Sequence, residues 1–231
     1  MILIAFDLDD TLFDEVEFLY SAYRQIASVL STYNETDSEQ MYRIMVQDGF
    51  DALISHIGLS ICQAHGITIG WLVETYRRHT PESLSFREGM EETLQWLSAD
   101  KDISIGIITD GRVGTQTAKI NALGLNRFVK PGNTIISQAI GADKTTPIPF
   151  TTMMSAVPQA SHYIYIGDNM GKDFVYPKKL GWTTICMAGN GRNIHPQTEH
   201  PDSLHDPHYV AADAQRLRCI LSELINKQNK Q

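Results

Sequence analysis

The chain opens on an unbroken apolar run, Ile2 to Phe6, that stops at Asp7. Five apolar residues with no polar alternation predict a strand buried on both faces, as in the interior of a parallel sheet. Short runs of the same kind recur at Ile103–Ile108, Tyr163–Ile166 and Thr183–Met187, each bounded by polar residues or glycine. Helical patterns lie between them. Strands alternating with helices predict βαβ units, and so an α/β fold: a doubly wound, Rossmann-like parallel sheet. Asp7, Thr109 and Asp168 each fall at the C-terminal end of a predicted strand or within two residues of it. Ligands in open α/β sheets bind at that edge.

Residues 15–86 follow another pattern. Val16, Leu19, Tyr20, Tyr23, Ile26, Ala27 and Leu30 trace one helical stripe. Asp37 with Gln40 reads as a capping box for a helix that ends near Gly49, and Ile67–His79 reads as a further helix before Pro81. No strand is predicted here. The expected division is an α/β core of 1–14 and 87–231 with a smaller α-helical cap, 15–86, inserted after the first strand. Hinges are expected near Phe13–Glu15 and Leu84–Arg87. The chain closes on Asp213 as an N-cap and a helix carrying Leu217, Ile220, Leu221 and Leu224. No internal repeat is present.

The chemistry begins where the first strand ends. Phe6-Asp7-Leu8-Asp9-Asp10-Thr11-Leu12 places three carboxylates within four residues of a buried strand. Like charges this close repel and are costly to desolvate. A divalent cation offsets that cost, and hard cations such as Mg²⁺ take oxygen ligands. Side chains alternate along an extended chain, so Asp7 and Asp9 face one site. One carboxylate is then placed to attack an electrophile while the other manages protons.

Three further segments follow. Ile107-Ile108-Thr109-Asp110-Gly111 ends a strand in a hydroxyl and backbone N–H groups, which are donors for phosphoryl oxygens. Lys144-Thr145-Thr146-Pro147-Ile148-Pro149-Phe150 supplies a cation ahead of a helix that Pro147 or Pro149 would begin. Ile166-Gly167-Asp168-Asn169-Met170-Gly171-Lys172-Asp173 ends a strand in Gly-Asp, with a second Asp five residues on.

These four segments, in this order, resemble the motifs of the haloacid dehalogenase superfamily. The first matches Asp-x-Asp-x-Thr. The third keeps Lys144, Pro147 and Phe150 of the pattern Lys-Pro-x-Pro-x-x-Phe, with Thr145 in place of the first proline. The resemblance spans residues 6–187 and is weakest in the inserted helices. It implies a Mg²⁺-dependent phosphatase with a helical cap. Asp7 would be the nucleophile and Asp9 the general acid and base. Thr109 and Lys144 would grip the phosphoryl oxygens, assisted by backbone N–H groups near Leu8 and Asp110. Mg²⁺ would be held by Asp7, the backbone carbonyl of Asp9 and Asp168, with Asp173 in support. Arg112 is a candidate contact for the leaving group.

Two other activities share the implied fold. Haloacid dehalogenases typically lack an acid at the position of Asp9, so its presence favours phosphoryl chemistry. Phosphosugar mutases commonly carry glycine after the second aspartate, where this chain has Asp10. A binding or scaffold protein would be expected to lose part of the constellation.

Composition narrows the partners. A formal net charge of −8 argues against a broad nucleic-acid or anionic-membrane surface. A small phosphorylated metabolite is the expected substrate: a sugar or sugar-acid phosphate first, a nucleoside monophosphate next. The expected assembly is a monomer or homodimer. Cys62, Cys186 and Cys219 are far apart and odd in number, as expected of reduced thiols in a cytoplasmic protein. No signal peptide or membrane span is expected. The segment Gly189–His208, with His195, His200, His205 and His208, has irregular spacings and no Cys partners, and reads as a solvated loop rather than a zinc site.

Overall fold

A computed structural model describes residues 1–33, 37–197 and 202–228. Six parallel strands form one sheet in the order β3-β2-β1-β4-β5-β6. They are β1 (Ile2–Phe6), β2 (Ile103–Thr109), β3 (Thr134–Ile136), β4 (His162–Gly167), β5 (Thr183–Met187) and β6 (Tyr209–Ala211). The order reverses between β1 and β4, and a doubly wound sheet opens its ligand crevice at that switch point. All five residues of β1 are buried. Ile2, Ile4 and Phe6 join one core, with Leu94, Leu217 and Leu221, while Leu3 and Ala5 join another, with Phe150, Tyr165 and Trp182. Strand alternation therefore feeds two cores on opposite sheet faces, and an apolar run without polar gaps is the sequence that permits it.

Between β1 and β2 come α1 (Glu15–Ser31), α2 (Ser38–Ile57), α3 (Leu59–His65), α4 (Ile69–Arg77) and α5 (Met90–Ser98). The first four surround their own apolar cluster of Ile26, Ala27, Leu30, Met41, Met45, Leu53, Ile57, Cys62, Ile67 and Leu72. The remaining helices are α6 (Val113–Ala122), α7 (Ser137–Ile140), α8 (Ile148–Ala156), α9 (Val175–Lys179) and α10 (Ala214–Gln228).

Several local expectations need correction. The buried face of α1 is Phe18, Ala22, Ile26, Ala27 and Leu30; Val16, Leu19, Tyr20 and Tyr23 are only half-buried, because Phe18 turns inward against Tyr76. The Asp37 carboxylate accepts from the N–H of Glu39, not of Gln40. The helix it starts does end at Gly49 (φ 80°), where the chain kinks into a second helical segment that runs on to Ile57. The short strands β3 and β6 escaped the hydrophobic pattern. Asp213 does cap α10, accepting from the Arg216 N–H at 2.7 Å.

Candidate active site

The site stands at the C-terminal ends of β1 and β4. Asp7 leaves β1 still held to the sheet, its N–H donating to the Ile166 carbonyl at 2.8 Å. Its Oδ2 lies 2.8 Å from Lys144 Nζ, and its Oδ1 accepts from the Leu8 N–H at 2.8 Å. The Leu8 amide thus orients the Asp7 carboxylate. Lys144 is fully buried and also lies 2.6 Å from Asp173 Oδ1. Its own backbone N–H donates to Asp110 Oδ1, while Lys172 Nζ lies 3.0 Å from Asp110 Oδ2. Pro147 ends that loop and precedes α8, so the proline-containing segment does start a helix.

Asp173 is wholly buried, and its Oδ2 accepts from the N–H groups of Asp168 (3.1 Å) and Asn169 (2.8 Å). It acts as a brace for the β4 loop and for Lys144. Gly167 makes this close approach possible: a Cβ there would lie 2.4 Å from Asp173 Oδ2.

One oxygen from each of Asp7, Asp168 and Asp173 falls within 4.8 Å of the others. Burial first, and then repulsion from Asp173, raises Asp7 from 3.8 to about 7 against the pull of Lys144. Burial, with Asp7 and Asp173 beside it, raises Asp168 from 3.8 to about 8. Lys144 loses basicity to burial but regains more from Asp173 and Asp7, and stays protonated. One ammonium contacting two of three buried carboxylates leaves negative charge uncompensated. An all-oxygen set of this kind fits a hard divalent cation.

Asp9 has a separate environment. Its Oδ1 lies 2.6 Å from Lys119 Nζ and its Oδ2 accepts from Gln116 Nε2 at 2.8 Å. The same Gln116 Nε2 donates to the Thr109 hydroxyl at 2.6 Å, which leaves the hydroxyl proton free to donate elsewhere. Sequence reading missed Gln116 and Lys119. Their signal was a spacing of three on the helix that follows Thr109-Asp110, which puts both on one face. Asp10 adopts a left-handed conformation (φ 52°). It is held there as its carboxylate accepts from the N–H groups of Glu15 and Ile194, and as its carbonyl accepts from Arg87.

The loop after β5 is not simply solvated. Asn193 donates to Asp168 Oδ2, Gln197 donates to the Asp168 carbonyl, and His195 lines the cavity at these carboxylates. His208 is engaged instead with Thr184, His205 is only 17% exposed and lies near Asp202, and His200 lies outside the described residues. Arg112 is not brought to the cavity. It is half-exposed and lies 3.7 Å from Glu74 of α4. The cavity, of about 130 Å³, is lined by Asp7, Asp9, Asp10, Glu15, Asp110, Lys144, Asp168, Asn169, Lys172 and His195. A larger one of about 320 Å³ lies by Arg87 and Asp213, away from these carboxylates.

Comparison with known proteins agrees with this fold. A glyceraldehyde 3-phosphate phosphatase of Methanocaldococcus jannaschii is 29% identical over 194 residues, covering 79% of this chain and 82% of that protein. The magnesium-bound structure of the candidate HAD-hydrolase YfnB from Bacillus subtilis superposes with a TM-score of 0.65 at 20% identity, covering 95% of this chain and 97% of that one. A candidate beta-phosphoglucomutase from Thermotoga maritima gives 0.64 at 16% identity, covering 96% and 99%. The pattern of the haloacid dehalogenase-like hydrolases matches residues 4–187, from β1 through β5. The chain belongs to the haloacid dehalogenase-like hydrolase family.

Proposed function

We propose that the protein is a Mg²⁺-dependent phosphatase that hydrolyses a small phosphomonoester through an aspartyl-phosphate on Asp7. The observation that carries this reading is the division of two neighbouring carboxylates between two environments. Asp7 sits with Lys144 in the buried acidic cluster, and Asp9 sits with Lys119 and Gln116 beside it. Such pairs separate into nucleophile and proton carrier.

An Asp7 oxygen attacks phosphorus, and the bond from phosphorus to the leaving oxygen breaks. Asp9, protonated, gives its proton to that oxygen. The Asp9 carboxylate then takes a proton from water, whose oxygen attacks the acyl phosphate. Asp7 leaves as a carboxylate and inorganic phosphate is released. Lys144 and the Thr109 hydroxyl balance charge on the transferred oxygens. Asp7, Asp168 and the carbonyl of Asp9 would hold Mg²⁺, which supplies Lewis-acid charge stabilisation, with Asp173 bracing the loop that carries Asp168. Helices α1–α4 act as the cap, meeting the cavity at Glu15.

A cavity of about 130 Å³ walled by charged side chains suits a compact polar group such as a phosphoryl group. A sugar or sugar-acid phosphate remains the favoured class, and the name of the Methanocaldococcus jannaschii relative makes a triose phosphate the first compound to assay. The test is Mg²⁺-dependent release of inorganic phosphate across glyceraldehyde 3-phosphate, sugar-acid phosphates, nucleoside monophosphates and a phosphopeptide. Preference for the phosphopeptide rejects the substrate class. Isomerisation without phosphate release identifies a mutase instead.

A further inference from the structure

Lys119 has no step of its own in the reaction set out above, yet it is among the most buried cations of the described residues. It is 2% exposed, on the inward face of α6, and its ammonium touches Asp9 at 2.6 Å and Glu15 at 3.0 Å. It also lies over the rings of Phe18 and Phe13, at 4.8 and 5.8 Å from their centroids. A lysine buried in this way is costly unless its charge is matched. One turn earlier on the same helix, Gln116 is also buried and holds the other oxygen of Asp9 together with the Thr109 hydroxyl. The two side chains form a cradle that fixes both oxygens of one carboxylate.

We propose that Lys119 and Gln116 are positioning residues that aim the Asp9 carboxylate at the leaving oxygen and then at the attacking water, and that Lys119 couples this aim to the cap through Glu15. The inference rests on the phosphatase reading. Asp7 is held independently, by Lys144 and the Leu8 N–H. Loss of Lys119 therefore leaves the attack on phosphorus in place and impairs the steps in which Asp9 moves a proton, whereas loss of Gln116 also releases the Thr109 hydroxyl. Glu15 is the first residue of α1, so the ion pair joins the entry of the cap helices to the proton carrier.

The two half-reactions separate on an aryl phosphate, whose phenolate leaves without needing a proton. Lys119→Gln is expected to release a burst of nitrophenolate from p-nitrophenyl phosphate, close to one equivalent per enzyme. Slow turnover should follow, reduced at least about tenfold, because hydrolysis of the acyl phosphate still needs Asp9 as base. With an alkyl phosphate the first step slows as well and the burst disappears. Gln116→Met keeps the buried ion pair and serves as a second variant should Lys119→Gln not fold. It is expected to keep the burst amplitude, with a slower burst because the Thr109 hydroxyl loses its partner, and with turnover falling further than the burst rate. A folded variant with wild-type kcat overturns the proposal, as does a parallel fall of burst and turnover, which is the mark of a merely structural role. Wild-type enzyme that turns over without any phosphoenzyme rejects the phosphatase mechanism itself, and the proposal with it.

Discussion

Gly167→Ala adds one methyl group at the junction on which the loop carrying Asp168 depends. The new Cβ would lie 2.4 Å from Asp173 Oδ2, 2.8 Å from its Cγ and 3.1 Å from its Cβ, where ordinary contact begins at 3.4 Å. Asp173 cannot swing aside cheaply. It is wholly buried, its Oδ2 accepts from two N–H groups, and its Oδ1 meets Lys144. Overpacking of this kind costs about 1–3 kcal/mol. One lost hydrogen bond to a charged group adds about 1.5–3 kcal/mol. A total of roughly 2.5–6 kcal/mol lowers Tm by roughly 5–24 °C for a chain of this size. Displacing the brace also moves Asp168, and loss of such outer-sphere support weakens metal binding about 10- to 100-fold. Thermal unfolding with and without Mg²⁺ measures both effects. The control is Gly114→Ala on α6, where an added Cβ meets nothing within 4 Å. It should be neutral or stabilising by up to about 1 kcal/mol. A Gly167→Ala protein with wild-type Tm and wild-type Mg²⁺ response would refute the bracing role of Asp173.

Asp9→Asn should lower kcat by at least about 10²-fold while substrate still binds, which single-turnover and equilibrium-binding measurements separate. Asp168→Ala should abolish Mg²⁺ binding in calorimetric titration together with activity. Asp173→Ala, which strips Lys144 and two backbone N–H groups of a partner, should lower Tm and weaken Mg²⁺ binding about 10- to 100-fold, a milder loss than in Asp168→Ala. Burial raises Asp7 from 3.8 to about 7 and Asp168 to about 8. Between those limits the metal-free folded protein holds protons that the unfolded chain has released, so its stability falls as pH rises through the window. Mg²⁺ displaces those protons, so its stabilising effect should grow from about pH 5 to about pH 8 in thermal unfolding, with proton release seen in buffers of different ionisation enthalpy.

The strands nearest the site were legible because β1, β2, β4 and β5 are buried on both faces and so carry apolar runs. The three-residue strands β3 and β6 are too short to leave a periodic trace. Asp7, Thr109, Lys144 and Asp168 were legible because each follows or precedes an element end within a recognisable motif. Gln116 and Lys119 were not, since a polar residue and a lysine inside a helix ordinarily face solvent. Only the sheet geometry shows that this face of α6 turns toward Asp9. Arg112 illustrates the converse. Its place beside Thr109-Asp110 suggested a substrate contact, yet as the N-cap of α6 it points toward Glu74. The loop after β5 looked solvated by composition, and its role emerged from the hydrogen bonds of Asn193, Ile194 and Gln197 to Asp168 and Asp10.

Mass spectrometry of protein quenched in acid during turnover with Mg²⁺ and a small phosphomonoester tests the central claim most directly. The account predicts one added phosphoryl group, mapped by peptide fragmentation to Asp7, accumulating in Asp9→Asn and absent from Asp7→Asn. Phosphate on any other residue, or undiminished turnover by Asp7→Asn, would contradict it.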